Sequence, residues 1–392
     1  MGKLYLFNPD NDLALANWDA NYMSPASARQ MAADLALLPV WYAEGGASVL
    51  APSAYNQAFL KEMQQFFPLD VSLVTEAEDL PAVTSVVPWG WNLALRKRLM
   101  GLGVMEGNLP SVENLELLRR LSHRCQAVEL LPYLRLDAPF CGESIYLQEI
   151  GECRAFVESQ ERCLLKAPWS GSGKGLNWCK GVFTPHIEGW CARLIEQQGG
   201  VVGEPIYNKV EDFAMEFCSD GEGRVCFVGY SLFRTSDGGA YDANWLMTDG
   251  EVEHRLSTYV PVAALHRLQS CLVEELSSRY GVSYKGYLGV DMMIMTQESG
   301  YAVHPCVEVN LRMNMGVVAR LLYDRFVVPG REGLFQVAYY AGEGEALHEH
   351  ERMKVDRPLE LTDGRVSSGY LPLIPVHKKS RYVARMFLTT GR

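Results

Sequence analysis

Three oxygen-bearing side chains, Asp291, Glu308 and Asn310, interrupt otherwise apolar runs, Val290-Asp-Met-Met-Ile294 and Cys306-Val-Glu-Val-Asn-Leu-Arg312. The runs are separated by the turn-like Thr296-Gln-Glu-Ser-Gly300 and read together as a β-hairpin. Successive strand side chains point to opposite faces, so Glu308, Asn310 and Arg312 share one face while Val307, Val309 and Leu311 take the other. Carboxylates on a buried strand are costly unless a cation compensates them. Two carboxylates and an amide oxygen are hard ligands that suit Mg²⁺, which takes one or two carboxylates and completes its shell with water and substrate phosphate; Mn²⁺ is the expected substitute. The planar fork of Arg312, two residues on, suits a transferring phosphate or an acidic substrate. A simply wet strand face explains Glu308 or Asn310 taken singly, but not both together with Asp291.

A second pattern lies upstream. Leu164-Leu-Lys-Ala-Pro-Trp-Ser-Gly-Ser-Gly-Lys-Gly-Leu176 places Lys166 on an apparent buried strand and follows it with alternating glycines. A Walker loop is excluded, because Trp169 stands where its leading glycine belongs and Gly175 follows Gly173-Lys174. A protein-kinase loop is excluded by order, since there the lysine lies on a later strand. Alone, the segment reads equally well as a Ser/Gly-rich hairpin turn.

Taken in order, Lys166 with Gly171–Gly175, Glu204-Pro205, Glu211-Asp212-Phe213, Asp291, and Glu308-Val-Asn310 with Arg312 resemble the ATP-grasp superfamily over residues 116 to 325. The resemblance implies an α/β chain of ATP-grasp fold, with an N-terminal open parallel domain and two α+β subdomains clamping ATP. It implies that Lys166 contacts the α- and β-phosphates, that Ser170, Gly171, Ser172, Gly173, Lys174 and Gly175 close over them, and that Glu204 and its neighbours meet the adenine edge. Asp212 is implied as the ribose-binding acid, with Glu211 as its substitute, and Asp291, Glu308 and Asn310 as magnesium ligands. Arg124, in Ser122-His-Arg124, replaces a phosphate-binding lysine. Members similar to D-alanine ligase carry cations where this chain has Gly289 and, in the 239–244 segment, none; Arg234, Lys209, Arg320 or the basic C-terminal stretch are candidates to supply them. Arg312, Lys166 and Arg234 are therefore the expected catalytic cations.

These residues need a scaffold, and 392 residues with 48% apolar and 21% charged content allow two or three domains with a large core. Residues 1–115 alternate short strands and helices in the manner of a small open parallel sheet. No G-x-G-x-x-G follows the first strand; its loop, Asn8-Pro-Asp-Asn-Asp12, is acidic and unsuited to a pyrophosphate. That loop and Pro88-Trp-Gly-Trp91 lie where open sheets receive ligands, making Asn8, Asp10 and Trp89, together with the loop Asn314-Met-Gly316, candidates for the substrate side. Residues 116–205 are read as the subdomain with the glycine loop, 206–340 as the one with the metal site, and 341–392 as a polar, loop-rich extension that either packs over the cleft or caps a homodimer.

The net charge of −11 argues against a general nucleic-acid or anionic-membrane binder. No run approaches a membrane span, and the short apolar stretch before Asn8 is read as no signal peptide, so the expected location is the cytoplasm. Ten scattered cysteines without a Cys-x-x-Cys pair read as reduced thiols, and His348-Glu-His350 as a solvated loop rather than a metal site. The expected activity is ATP-dependent ligation: a small-molecule carboxylate becomes an acyl phosphate that an amine or similar nucleophile captures. A small-molecule kinase on the same scaffold, or a nucleotide-binding protein without turnover, are the alternatives.

Overall fold

The computed structural model describes residues 2–74, 80, 83–171, 175–235, 241–298 and 300–389. Lys3–Leu6 (β1), Ala47–Leu50 (β2), Val71–Val74 (β3) and Ser85–Pro88 (β4) form a parallel sheet of order β3-β2-β1-β4. Apolar side chains leave β1 on both faces, Tyr5 and Phe7 toward one core and Leu4 and Leu6 toward another, as a strand covered on both sides requires. Its central place brings the loops after β1 and β4 together at the carboxyl ends of the strands, where open sheets bind ligands. Asn8 joins them, donating from Nδ2 to Gly90 O at 2.8 Å. The acidic loop after β1 is shorter than its composition predicts, because Asn11–Asn17 winds into a helix (α1). Helices Ala26–Asp34 (α2), Ala54–Met63 (α3) and Leu93–Gly101 (α4) complete this part.

Val112–Leu121 (α5) and Cys125–Leu134 (α6) lead to a second sheet, built from Ile145–Leu147 (β5), Cys163–Lys166 (β6), Leu176–Cys179 (β7) and Val201–Pro205 (β8). It is antiparallel, of order β5-β8-β6-β7. Ile150–Ser159 (α7) and Pro185–Gln198 (α8) cover it over a core that includes Leu147, Val157, Leu165 and Cys191.

The third sheet has nine strands among the described residues, in the order β13-β12-β9-β10-β11-β14-β17-β16-β15. These are Lys209–Asp220 (β9), Val225–Thr235 (β10), Tyr241–Leu246 (β11), Lys285–Gln297 (β12), Gly300–Asn310 (β13), Gly333–Tyr339 (β14), Glu360–Thr362 (β15), Arg365–Pro372 (β16) and Tyr382–Leu388 (β17). Strand β9 alternates strictly: Phe213, Met215 and Phe217 enter the core beneath Asp249–Leu256 (α9) and Val262–Tyr280 (α10), while Asp212, Ala214 and Glu216 take the opposite face. Met315–Phe326 (α11) begins on that opposite face and packs against the parallel domain, where Trp41 Nε1 donates to Leu373 O at 2.6 Å.

The expected boundary near residue 340 does not interrupt this sheet, since β17 pairs with β14 along seven residues. The polar stretch expected to be loop contains a helix, Glu345–Asp356 (α12). It buries only Ala346 and Met353 and is laced by Arg352, which meets Glu349 at 2.8 Å and Asp356 at 3.1 Å. Helix-forming residues and i,i+3/i+4 ion pairs make this helix without an apolar stripe. His350 accordingly sits against β16, its Nδ1 2.9 Å from Tyr370 Oη, and not in a solvated loop.

Candidate nucleotide and substrate cleft

Loops of the parallel domain, Gly171 of the loop after β6 and the open face of the nine-stranded sheet line a cleft of about 520 Å³. Its charged floor is the β12–β13 hairpin that the alternating pattern predicts. Asp291 lies directly opposite Glu308, and Gly289 opposite Asn310. Asn310 Nδ2 donates to Asp291 Oδ2 at 3.0 Å, and Arg124 Nη2 meets Glu308 Oε1 at 2.7 Å. Burial, and then the facing Glu308 carboxylate, push the Asp291 carboxyl up to about 7. Two carboxylates opposed in this way favour an added cation, and the donor set of two carboxylates and one amide fits Mg²⁺.

Arg124 ties the hairpin to the base of the glycine loop, donating from Nη1 to Ala167 O at 2.5 Å and to Ser170 Oγ at 3.1 Å. Lys166 pairs with Glu204 at 2.5 Å across β6 and β8, both side chains about 5% exposed. The loop leaves β6 at Ala167, whose N–H donates to Gly175 O at 2.8 Å, and closes with Gly175 at φ +71°, a left-handed conformation that favours glycine. Gly171 rests on the parallel domain: a Cβ there would stand 2.5 Å from Asp12 Oδ2.

Asp12 in turn holds Arg312 in a fork, accepting from Nε at 2.9 Å and from Nη2 at 2.8 Å. Burial works against the guanidinium charge, but the Asp12 carboxylate more than offsets it and raises the Arg312 pKa. Asp10 and Trp89 line the same cleft, and Trp89 O accepts from Met313 N at 2.9 Å. Asn314 caps α11 with Oδ1 and donates from Nδ2 to Glu216 Oε2 at 2.8 Å.

A scan against protein-family models and a search of curated proteins return no match for this chain. Solved structures do match along its whole length. Biotin carboxylase from Campylobacter jejuni, solved as a β,γ-ATP complex, aligns with all of this chain and 88% of its own at 11% identity, with a TM-score of 0.54. N5-carboxyaminoimidazole synthetase from Staphylococcus aureus with ADP aligns with all of this chain and 94% of its own at 12% identity, TM-score 0.51. The biotin carboxylase domain of Hydrogenobacter thermophilus 2-oxoglutarate carboxylase, with MgADP, ADP and bicarbonate, aligns with 99% of this chain and 86% of its own at 11% identity, TM-score 0.50. The chain has the ATP-grasp fold.

Within this ATP-grasp frame the structure gathers Arg124, Lys166, Ser170, Gly171, Gly175 and Glu204 at the loop side and Asp291, Glu308, Asn310 and Arg312 on the hairpin side. Ser172, Gly173 and Lys174 lie outside the described residues. Asp212 falls on the cleft face of β9, where Lys209 Nζ and Thr235 Oγ1 both donate to it. Glu211 does not join it, because the next residue on a strand faces away: Arg255 of α9 holds its carboxylate at 3.1 Å.

The expected catalytic Arg234 is not brought to the cleft. Phe233 and Thr235 line the cleft, while Arg234 pairs with Asp242 at 2.9 Å and lies over Trp245. Arg320 is spent on Asp249, Asp324 and Met247 O, and Lys209 on Asp212, so neither supplies the cation expected near Gly289. What occupies that place is a carboxylate. A Cβ on Gly289 would stand 2.5 Å from Asn314 Nδ2 and closer still to Glu216 Oε2. Glu216 is the residue that the sequence reading missed. Its signal was the same as that of Asp291, an isolated carboxylate between Met215 and Phe217 in an apolar run. Asp12 carried no comparable signal, because its partner lies 300 residues away.

Proposed function

We propose that the protein is an ATP-dependent ligase that activates a carboxylate as an acyl phosphate for capture by an amine or similar nucleophile. The observation that carries this reading is the hairpin rim, where Asp291 faces Glu308 beside Asn310, with Arg124 and Arg312 at its edges and the glycine loop opposite. The nucleotides and MgADP in the neighbouring structures support it.

Asp291, Glu308 and Asn310 would hold Mg²⁺, with the Asn310 amide turning its oxygen inward. When bound, the ion neutralises phosphate charge as it develops on the transferring group. Around it, this chain supplies orientation and charge. Arg124 fixes Glu308 and the loop base as one unit, so closing the loop and ordering the rim are coupled. Lys166 shares its charge with Glu204 at the root of the loop and would be the cation that the nucleotide phosphates draw on. Arg312, held rigid by Asp12, presents a pre-oriented guanidinium to the reacting carboxylate or phosphoryl group. The substrate carboxylate oxygen attacks the γ-phosphorus, ADP departs, and the covering loop keeps water from the acyl phosphate.

Incubation with Mg·ATP, a panel of carboxylates and hydroxylamine tests this directly, because hydroxylamine converts an acyl phosphate to a hydroxamate. Hydroxamate formed in step with ADP is the expected result. Phosphorylated alcohols without hydroxamate would replace the ligase with a kinase.

A further inference from the structure

We propose that the end of the cleft floored by Glu216 is the subsite for the second substrate, that it takes the ammonium group of a primary amine, and that Glu216 receives the proton this amine must shed. The proposal deepens the ligase reading above and rests on it.

Glu216 is 1% exposed and yet lines the cleft. Gly289 pairs with Asn310 on one side and with Glu216 on the other, which puts the metal-side amide and the carboxylate in one row across three strands. The middle member of that row has no side chain, and its place is taken by the Glu216 carboxylate and Asn314 Nδ2, so Glu216 reaches toward the strand of Asn310, roughly 10 Å away at two strand spacings. A second glycine shapes the far side: a Cβ on Gly316 would stand 2.5 Å from Ser231 Oγ and closer still to Glu216 Oε1. With Oε2 occupied by Asn314, Oε1 is the oxygen turned toward Ser231 and Gly316.

The rest of the subsite is neutral and acceptor-rich. Tyr241 Oη donates to Asn244 Oδ1 at 2.6 Å, and Asn244 Nδ2 donates to Ser231 Oγ at 2.7 Å, while Phe233, Tyr339 and Tyr382 form aromatic walls. Among the described residues Arg312 is the only cation lining the cleft, and Asp12 already holds it. An anionic group entering here meets a carboxyl that it would keep protonated and, among the described residues, no free positive charge. An ammonium meets a carboxylate, hydroxyl oxygens and ring faces.

The chemistry follows from that placement. The ammonium gives one proton to the Glu216 carboxylate, and the freed nitrogen lone pair forms the bond to the acyl carbon. The carbon–oxygen bond to phosphate then breaks with its electron pair leaving on phosphate, which takes the second amine proton. The products are an amide and inorganic phosphate, and Glu216 returns its proton to solvent. Burial pushes the Glu216 carboxyl up to about 8; the Asn314 hydrogen bond and Arg312 act against this rise, and Asp291 adds to it. A carboxylate of that basicity is better matched to an ammonium than an ordinary one.

Isothermal titration of the whole chain without nucleotide tests the subsite, using n-butylamine, cadaverine and phenethylamine against 1-butanol and butyrate, on wild type and Glu216→Gln. The amines are expected to bind in preference to the alcohol and the carboxylate, and to bind the variant roughly ten- to a hundredfold more weakly, as a lost charged hydrogen bond implies. Repeating the wild-type titration at pH 7 in buffers of different ionisation heat should show net proton release. Equal amine affinity in both proteins, or butyrate preferred by wild type, would overturn the proposal. If Glu216→Gln does not fold, the wild-type series and its proton release still decide. Because nucleotide is absent, a failure of the ligase reading, seen as no turnover of Mg·ATP, is read separately.

Discussion

In the four-stranded sheet Glu204 meets Lys166 at 2.5 Å with both side chains almost wholly buried, whereas in the nine-stranded sheet Asp291 meets only an amide and another carboxylate. The first pair is closed on itself and its charges cancel. The second is left short of positive charge, since Arg124 answers Glu308 and Arg312 is held by Asp12; burial first, and then the facing Glu308, push the Asp291 carboxyl up to about 7. The two places therefore differ in what a ligand must do: at the root of the glycine loop it competes for a cation already engaged, and at the hairpin it brings the cation that is missing.

The sharpest way to break this contrast is to remove one member of the closed pair. Lys166→Met leaves Glu204 buried without a counter-charge and is expected to lower stability by about 3–5 kcal/mol in urea unfolding, with Lys166→Met/Glu204→Leu recovering much of the loss. If the single variant unfolds like wild type, the pair is not sealed.

The hairpin side is expected to respond in the opposite sense. An aspartate near 7 in the native state and about 3.9 in the unfolded chain binds its proton more tightly when folded, so this group penalises folding as pH rises from about 4 to about 7, fully above that range. Asp291→Asn should therefore stabilise the ligand-free protein at pH 8 by on the order of 1–3 kcal/mol, the gain vanishing toward pH 4, while ending magnesium-dependent nucleotide binding. Urea unfolding across pH checks the sign, and a loss of stability at pH 8 would contradict it.

The smallest effect is expected at Arg234, whose partner Asp242 is as exposed as itself, at 41% against 44%. Arg234→Ala should change stability by less than about 1 kcal/mol and leave Mg·ATP turnover intact, which steady-state kinetics would show.

The legibility of these regions in the sequence follows from the range of the signal each one used. The β12–β13 hairpin and its ligand face were readable because period-two alternation is local, and the open face of β9 obeys the same rule through Glu216. The same rule, with Ser231, Phe233 and Thr235 on the cleft face of β10, puts Arg234 on the other side; the expectation for Arg234 came instead from the search for cations missing relative to the resembling family. Glu211 and Asp212 were readable as a pair but not as a choice, which needed the position of Arg255 on α9. Asp12 and Arg312 could not be joined from the chain at all, because their fork depends on how the parallel domain docks against the hairpin. Helix α12 was hidden for a different reason: its stability comes from propensity and ion pairs, which a search for apolar periodicity passes over.

The claim on which the rest depends is that the hairpin rim is a cation and nucleotide site. Thermal unfolding of wild type and Glu308→Gln, each with ATP alone and with Mg·ATP, tests it most directly, since a ligand at a hundredfold excess over its dissociation constant adds about 2.7 kcal/mol to apparent stability. A stabilisation of wild type that requires magnesium and is lost in Glu308→Gln is the expected result. Equal stabilisation of both proteins, or none in wild type with any nucleotide, would contradict it.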